Sequence, residues 1–353
     1  MIHLYPPALF ASTSPLSRGT APGGRLLYLS FEDALDALLE AQVPKGAAVL
    51  VPAFYCWSVV EHLESKGCRV ISYSVQEDLQ TDRAAFQEAL DAHQPDMIIL
   101  FHPLGMRSSL VQDATWAARL APKTIVLEDY AHRLFNERDD HPFERWIAIN
   151  SFRKLSAAEG AWVWGSREVL SSLKASYRSS LSTYRLSVAL RFLAWRFTLG
   201  AASLFESEHL FSLSEWLYAS HEALIGASSR PQPGSRCQAF WFSRLSVDRL
   251  KAHRVQLAQI YTRAFERAGH LGITLAPIPQ TQWGELKFFP LKMSAALAQK
   301  LMGRLAKRRC YLDTLYEESP HCSDFVYLML PLYPSIEESQ ARHLGNLIHA
   351  EAV

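Results

Sequence analysis

Between about Arg25 and Gly165, short apolar runs alternate with amphipathic ones, and this alternation is what most narrows the folds open to the chain. Phe31 to Ala41 has apolar residues at Ala34, Leu35, Leu38 and Leu39, the spacing of a helix with one buried face. Ala47 to Pro52 is apolar throughout and stops at proline, which predicts a buried strand. The series continues with a helix over Ser58 to Lys66, a strand over Arg69 to Tyr73, a helix over Ala84 to Ala92 and a strand over Asp96 to Phe101. Val111 to Leu120 then reads as helix and Thr124 to Leu127 as a strand leading into Glu128-Asp129. Trp146 to Asn150 and Ala161 to Trp164 read as the last strands. Strands that are apolar on both faces and alternate with helices imply an α/β fold with a mostly parallel sheet sandwiched by helices. Such sheets place their ligand beyond the carboxyl ends of the strands, and there fall His102, Asp129 and Ser151.

The remainder divides at Ser228-Ser229-Arg230-Pro231-Gln232-Pro233-Gly234, the clearest breaker in the chain. Residues 1–25 read as an extended N-terminal arm without an apolar signal segment, 26–230 as a large α/β domain, and 231–353 as a small C-terminal α+β domain. In the small domain a long helix is expected over Leu245 to Ala268. Strands are expected at Glu285 to Leu291 and Phe325 to Leu330, with helices at Ser294 to Arg308 and Ile336 to Ile348. Residues 186–225 are helical and rich in Leu, Phe and Trp. Arg191 and Arg196 lie inside the longest apolar stretch, and each central arginine costs about 2.5–3.5 kcal/mol in a bilayer. A buried or partner-facing helix pair is therefore expected, and no transmembrane span.

With 36 Lys+Arg against 35 Asp+Glu, the chain has no field to recommend nucleic acid or an anionic surface as partner. The 5 cysteines (Cys56, Cys68, Cys237, Cys310, Cys322) are scattered and lack paired metal-ligand spacing. No metal site is expected, and a reducing, cytoplasmic setting fits best.

Chemistry concentrates in Leu127-Glu128-Asp129-Tyr130-Ala131-His132 and Asn150-Ser151-Phe152-Arg153-Lys154. A lysine at a strand end can be desolvated, which lowers its pKa and makes it a Schiff-base nucleophile. An aspartate facing a pyridine nitrogen keeps such a cofactor protonated and electron-withdrawing. Either residue alone reads as a helix cap or a solvated surface group; their pairing in this order is the specific signal.

The pair sits in text that resembles the DegT/DnrJ/StrS family of pyridoxal-phosphate (PLP) dependent sugar aminotransferases, as a divergent member. The matching stretches are VLVPAFYCWSVVEHLESKGCRVISYSV (49–75), IILFHPLG (98–105), VLEDYAHRLF (126–135), NSFRKLSAAEGAWV (150–163) and LMLPLYPSIEESQARHLGNLI (328–348). The resemblance implies PLP-transferase fold type I, with a sheet of the seven-stranded type, and a homodimer. It implies pyridoxal 5′-phosphate held covalently at Lys154 as an aldimine, with Asp129 at the pyridine nitrogen. His132 would lie near the phenolic oxygen, and Ser151 and Arg153 at the phosphate. Cys56 holds the place of the residue that stacks on the ring, with Tyr55 and Trp57 as neighbours in register. Ser30, at the start of the first large-domain helix, would belong to the phosphate cup.

The implied activity is amino transfer from a small-molecule donor such as glutamate to a keto-sugar or similar carbonyl acceptor, in polysaccharide or natural-product biosynthesis. A different PLP reaction on an amino acid, or a non-catalytic homologue, are the alternatives. The departures lie in three places. Phe31-Glu32-Asp33 stand where relatives carry a glycine that lets helix N–H groups close on the phosphate. Glu159-Gly160-Ala161 stand where relatives have paired glycines. Gly234-Ser235-Arg236-Cys237 lacks the Asn-Tyr-Arg-type segment by which a neighbouring subunit completes the site.

Overall fold

The strands fall into two main sheets, one from each half of the chain. The computed structural model describes residues 2–3, 25–76, 78–134, 141–154, 159–176, 183–225, 230–234, 238, 246–315 and 325–353. Strand β1 (Ile2–His3) precedes a large seven-stranded sheet. In chain order this sheet and its helices are β2 (Leu26–Tyr28), α1 (Phe31–Gln42), β3 (Ala48–Pro52), α2 (Trp57–Ser65), β4 (Arg69–Tyr73), α3 (Arg83–His93) and β5 (Met97–Phe101). There follow α4 (Ser109–Gln112), β6 (Ile125–Tyr130), β7 (Trp146–Asn150), β8 (Ala161–Gly165) and α5 (Arg167–Ser176).

The sheet order is β2-β8-β7-β6-β5-β3-β4. The ladders β4–β3–β5–β6–β7 are parallel, while β7–β8 and β8–β2 are antiparallel. The central strands are buried at every position, as their unbroken apolar text requires. One face is closed by Ala34, Leu35 and Leu38 of α1 with Leu63 of α2, and the other by Phe86 and Leu90 of α3 with Trp116.

Sequence and structure part at three places in this half, the first being the short edge strand β2, which was not expected. The helix expected over Val111 to Leu120 is broken into α4 and a 3-10 turn, Thr115–Arg119. Asp113 causes the break: its carboxylate accepts from the Thr115 N–H at 3.3 Å and pairs with Arg83, an Asx-type bond that competes with the helix ladder. The strand expected to end at Leu127 runs on to Tyr130, because Asp129 and Tyr130 stay in register with Ile149 and Asn150 of β7.

The chain continues through α6 (Thr183–Leu204) and α7 (Glu208–Glu222), which form a helical hairpin. Phe192, Trp195 and Leu199 pack against Phe211, Leu217 and Tyr218. Arg196 is also buried on this face, at 1% exposure. The opposite face of α6 presents Leu186, Leu190, Leu193 and Phe197 to the outside. By length and composition the helix Thr183–Phe205 could cross a membrane, with a mean hydropathy of 1.3, and 33% of that window is already buried against protein.

Beyond it lie α8 (Val247–Phe265), β9 (Thr274–Leu275), β10 (Phe288–Met293), α9 (Ala295–Lys307), β11 (Cys310–Tyr311), β12 (Asp313–Leu315), β13 (Val326–Pro331) and α10 (Glu338–Ala352). β12-β13-β10-β9 form an antiparallel sheet. β1 pairs with β11 in parallel, so residues 2–3 are tied to this half. A second core, including Leu257, Tyr261, Leu291, Leu301 and Leu328, holds these elements together.

The two halves meet at the His102-Pro103-Leu104-Gly105 turn after β5. The backbone N–H of Lys287 donates to the Leu104 carbonyl at 2.7 Å, and the Arg107 N–H donates to Gln282 Oε1 at 3.2 Å. Gly105 has φ +98°, and a Cβ there would stand 2.1 Å from the Glu285 carbonyl oxygen. A Gly105→Ala substitution therefore meets both backbone strain and a backbone clash. It is expected to cost about 1–3 kcal/mol or more, read as a lowered urea midpoint with an unchanged slope.

Candidate active site

The carboxyl ends of β3, β6 and β7 open on one cavity, closed from the far side by the small sheet. From the large sheet it is lined by Cys56, Asp129, Ala131, His132, Ser151 and Arg153. The start of α1 adds Phe31 and Glu32, the end of α7 adds Glu222, and the small sheet adds Lys287, Phe288, Asp313, Leu315 and Met329.

Asp129 is the fixed anion of the site. β6 carries it to the strand end, where it is 3% exposed. Its Oδ2 accepts from the Tyr55 hydroxyl at 2.6 Å and its Oδ1 from the Ala131 N–H at 2.7 Å. Both donors stabilise the ionised carboxylate and set its direction. Tyr55 is held in turn by an edge contact with Phe101, whose ring also meets His132 edge-on. Lys154 closes the 3-10 turn Phe152–Lys154 that follows β7, next to Ser151; its side chain lies outside the described residues.

The other end of the cavity is built of charge. Ser151 is 2% exposed and its hydroxyl has no hydrogen-bond partner among the described residues. Beside it Arg153 is bonded to the Glu222 carboxylate, and its Nη2 lies 3.6 Å from Glu32 Oε1. Burial opposes the guanidinium charge, but Glu222, Glu32 and Glu159 outweigh it and raise Arg153 well above its ordinary value. Glu159 is paired with His221 of α7 at 2.8 Å, and burial, which would raise its carboxyl, is overcome by His221 and Arg153.

The two acidic residues at the start of α1 have separate fates. Glu32 faces the cavity. Asp33 turns away: its Oδ2 accepts from the Ser30 hydroxyl at 2.8 Å and its Oδ1 from the Gln232 N–H at 2.8 Å. Burial pushes its carboxyl up to about 7. Asp33 thus ties the 230s segment to α1, and only Glu32 competes for the cavity.

A pyridine cofactor with a phosphate tail asks for a buried anion at its ring nitrogen and for donors at its tail. Asp129 meets the first requirement, and the unpartnered Ser151 hydroxyl with the Arg153 cation meets the second. The residues present fit the group, with Arg153 already engaged by carboxylates.

No family model matches the chain, and no curated protein matches it in sequence. Solved structures do. DesV of S. venezuelae, in complex with a ketimine intermediate, superposes with TM-score 0.64 at 17% identity, over 93% of this chain and 84% of that one. PseC of Helicobacter pylori, an aminotransferase involved in the biosynthesis of pseudoaminic acid, does so with 0.64 at 13% identity, over 93% and 86%. A DegT/DnrJ/EryC1/StrS aminotransferase from Brucella abortus gives 0.61 at 14% identity, over 92% and 85%. The chain has the fold of these aminotransferases. It is the α/β fold type I architecture that the motif text implied, with the parallel sheet and its antiparallel edge.

Of the residues singled out in the sequence, Asp129, His132, Ser151, Arg153 and Cys56 share the cavity. Tyr55 does not line it as a stacking ring would; it lies beneath, bonded to Asp129. Trp57 is 55% exposed as the first residue of α2 and is not part of the cavity lining, because the helix start turns it outward. Ser30 is likewise not in the lining: its hydroxyl caps α1 by accepting from Asp33 N–H at 3.0 Å. His102 is fully buried and accepts from the Ser108 N–H, a structural position. The Ser235-Arg236-Cys237 segment lies outside the described residues. Glu222 and Lys287 had no local signal in the sequence, since each reaches the cavity from an element distant in the chain.

Proposed function

We propose that the chain is a PLP-dependent aminotransferase acting on a keto-sugar or similar carbonyl acceptor in polysaccharide or natural-product biosynthesis. One observation carries this reading. A doubly hydrogen-bonded aspartate, an unpartnered serine hydroxyl and the turn bearing Lys154 meet in one cavity at the carboxyl ends of β6 and β7. Bound there, PLP supplies an electron sink for the carbon that loses its proton.

Each residue has a task in this scheme. Asp129, braced by Tyr55, holds a proton on the pyridine nitrogen. Lys154 holds the cofactor and moves a proton on and off the substrate carbon, general acid–base work by an amine. Ser151 donates to the phosphate. Cys56, just before α2, and His132 also line the cavity and would contact the cofactor ring, His132 near its phenolic oxygen. The acceptor would lie against the small-sheet wall of the cavity, which carries Phe288 and Met329, with Lys287 placed for an anionic or hydroxyl-rich group. Its ammonium lies 4.4 Å from the Phe288 ring centre, a contact that shields it from water. A cytoplasmic homodimer is part of the proposal, and the outward stripe of α6 is a surface available to partners.

The test is spectroscopic. Protein mixed with PLP should turn yellow, and glutamate should bleach the visible band as the amine is transferred. In Asp129→Asn the band should form while its bleaching slows by about 10²-fold or more. A protein that stays colourless with excess PLP would overturn the reading.

A further inference from the structure

Arg153 already holds an anion. It is 8% exposed, and its guanidinium, which could take a phosphate in a forked contact, is instead bonded to Glu222, with Glu32 at 3.6 Å. Beside it the Ser151 hydroxyl is buried and unpartnered in the same cavity. The pocket end therefore offers a cation with a carboxylate in place of a ligand, and a donor still waiting for one.

We propose that Glu222 is an internal anion that occupies the cofactor's phosphate site, and that the phosphate displaces it from Arg153 during loading. The inference rests on the reading above, that this cavity takes PLP. It adds that Glu222 sets how tightly a phosphate monoester is held.

Of the carboxylates near Arg153, Glu222 is the one best placed to leave, giving up the Tyr218 hydroxyl together with Arg153. Glu159 is fully enclosed and pinned by His221 at 2.8 Å. Glu32 sits in the first turn of α1, where a negative charge is favoured by the helix N-terminus. Glu222 is the last residue of α7, where the helix dipole disfavours a carboxylate. Its side chain is 35% exposed, so on release it swings into water and not into apolar packing. α7 itself stays docked through His221 and through the contacts of Leu217 and Tyr218 with α6, so the exchange needs only a side-chain movement. A phosphate dianion and Glu222 on the same guanidinium would repel each other, so each weakens the hold of Arg153 on the other.

The experiment is equilibrium binding, read by tryptophan fluorescence and visible absorbance without turnover. PLP, pyridoxal and inorganic phosphate are titrated into the wild type, Glu222→Gln and Glu32→Gln. Glu222→Gln should bind PLP and phosphate about tenfold more tightly, with pyridoxal unchanged because it has no phosphate. Glu32→Gln should shift the same two ligands by a smaller factor. Glu222→Asp, which withdraws the carboxylate by one methylene with its charge kept, serves if the glutamine variant folds poorly, and it too should tighten PLP. PLP binding that is unchanged or weakened in the Glu222 variants, or pyridoxal shifting in parallel, would overturn the proposal. Failure of both PLP and pyridoxal to bind any form would overturn the aminotransferase reading itself.

Discussion

In a Lys154→Ala protein, amine transfer from glutamate is expected to fall by at least about 10²–10⁴-fold, the range that a positioned acid–base group contributes. The visible band formed with PLP should disappear at the same time. Lys154 follows β7 directly, in the turn Phe152–Lys154, while the strand beside it delivers Asp129. In the proposed scheme those two strand ends would bring an amine and a carboxylate to one cofactor, and no other lysine shares that turn. Lys287 also reaches the cavity, but from the small sheet. Lys154→Arg provides the control: it keeps the positive charge and cannot condense with an aldehyde. Both variants should lose transfer and colour while keeping the melting temperature within a few degrees of the wild type. A Lys154→Ala protein that turns yellow and transfers at the wild-type rate would place the reactive amine elsewhere, with Lys287 the first residue to test.

The largest stability effect is expected one residue before the catalytic candidate. Glu128 points away from the cavity and is fully buried. Its Oε1 lies 2.6 Å from His141 Nδ1, its Oε2 lies 3.3 Å from His102 Nε2, and the Tyr130 hydroxyl donates to it at 3.4 Å. His141 is stacked on Trp146 at 3.6 Å between ring centres, which fixes it in place. Burial alone would raise the Glu128 carboxyl, but the two imidazoles outweigh it and hold it at about 2.

The consequence for pH follows from the direction of that shift. A carboxyl whose folded value lies below its unfolded one adds stability above the ordinary carboxylate range, and that stability is lost as pH falls toward about 2. Glu128→Ala removes the anion and leaves the buried His102 and the part-buried His141 without it. The expected cost is about 3–5 kcal/mol at neutral pH, with a flatter loss of stability on the acid side. Urea titrations of both proteins across pH 2–7 measure it, and superimposable acid limbs would show that Glu128 is not held as an ion.

The central strands β3, β5 and β6 of the large sheet were legible because each is a short apolar run, and burial on both faces leaves no other use for such a run; the three-residue edge strand β2 was too short to be read. The position of Asp129 was legible for a related reason, since residues at the ends of neighbouring parallel central strands fall at one end of the sheet, and the turn that bears Lys154 follows the next strand. Asp113 shows what local reading missed. A single side chain bonding to a nearby N–H and to Arg83 was enough to cut a ten-residue helix pattern into two turns. Tyr55 and Trp57 show the other limit: flanking Cys56, the expected stacking position, they were the substitutes if the register slipped by one. The chain sends Tyr55 beneath Asp129 and Trp57 out to solvent, a choice set by where α2 begins.

The motif pair Asp129–Lys154 and the apolar alternation by themselves determined the fold class and the strand ends at which chemistry would be sought. Only the tertiary structure decided what surrounds those ends. Phe31-Glu32-Asp33 read as a block of negative charge at a phosphate cup, yet folding divides it, burying Asp33 against Ser30 and Gln232 and leaving Glu32 to face Arg153. Glu222 reaches the same arginine from α7, 69 residues away in sequence. Apolar periodicity is a local property and survives in the sequence, whereas the partner of a buried charge is chosen by whichever distant element packs beside it.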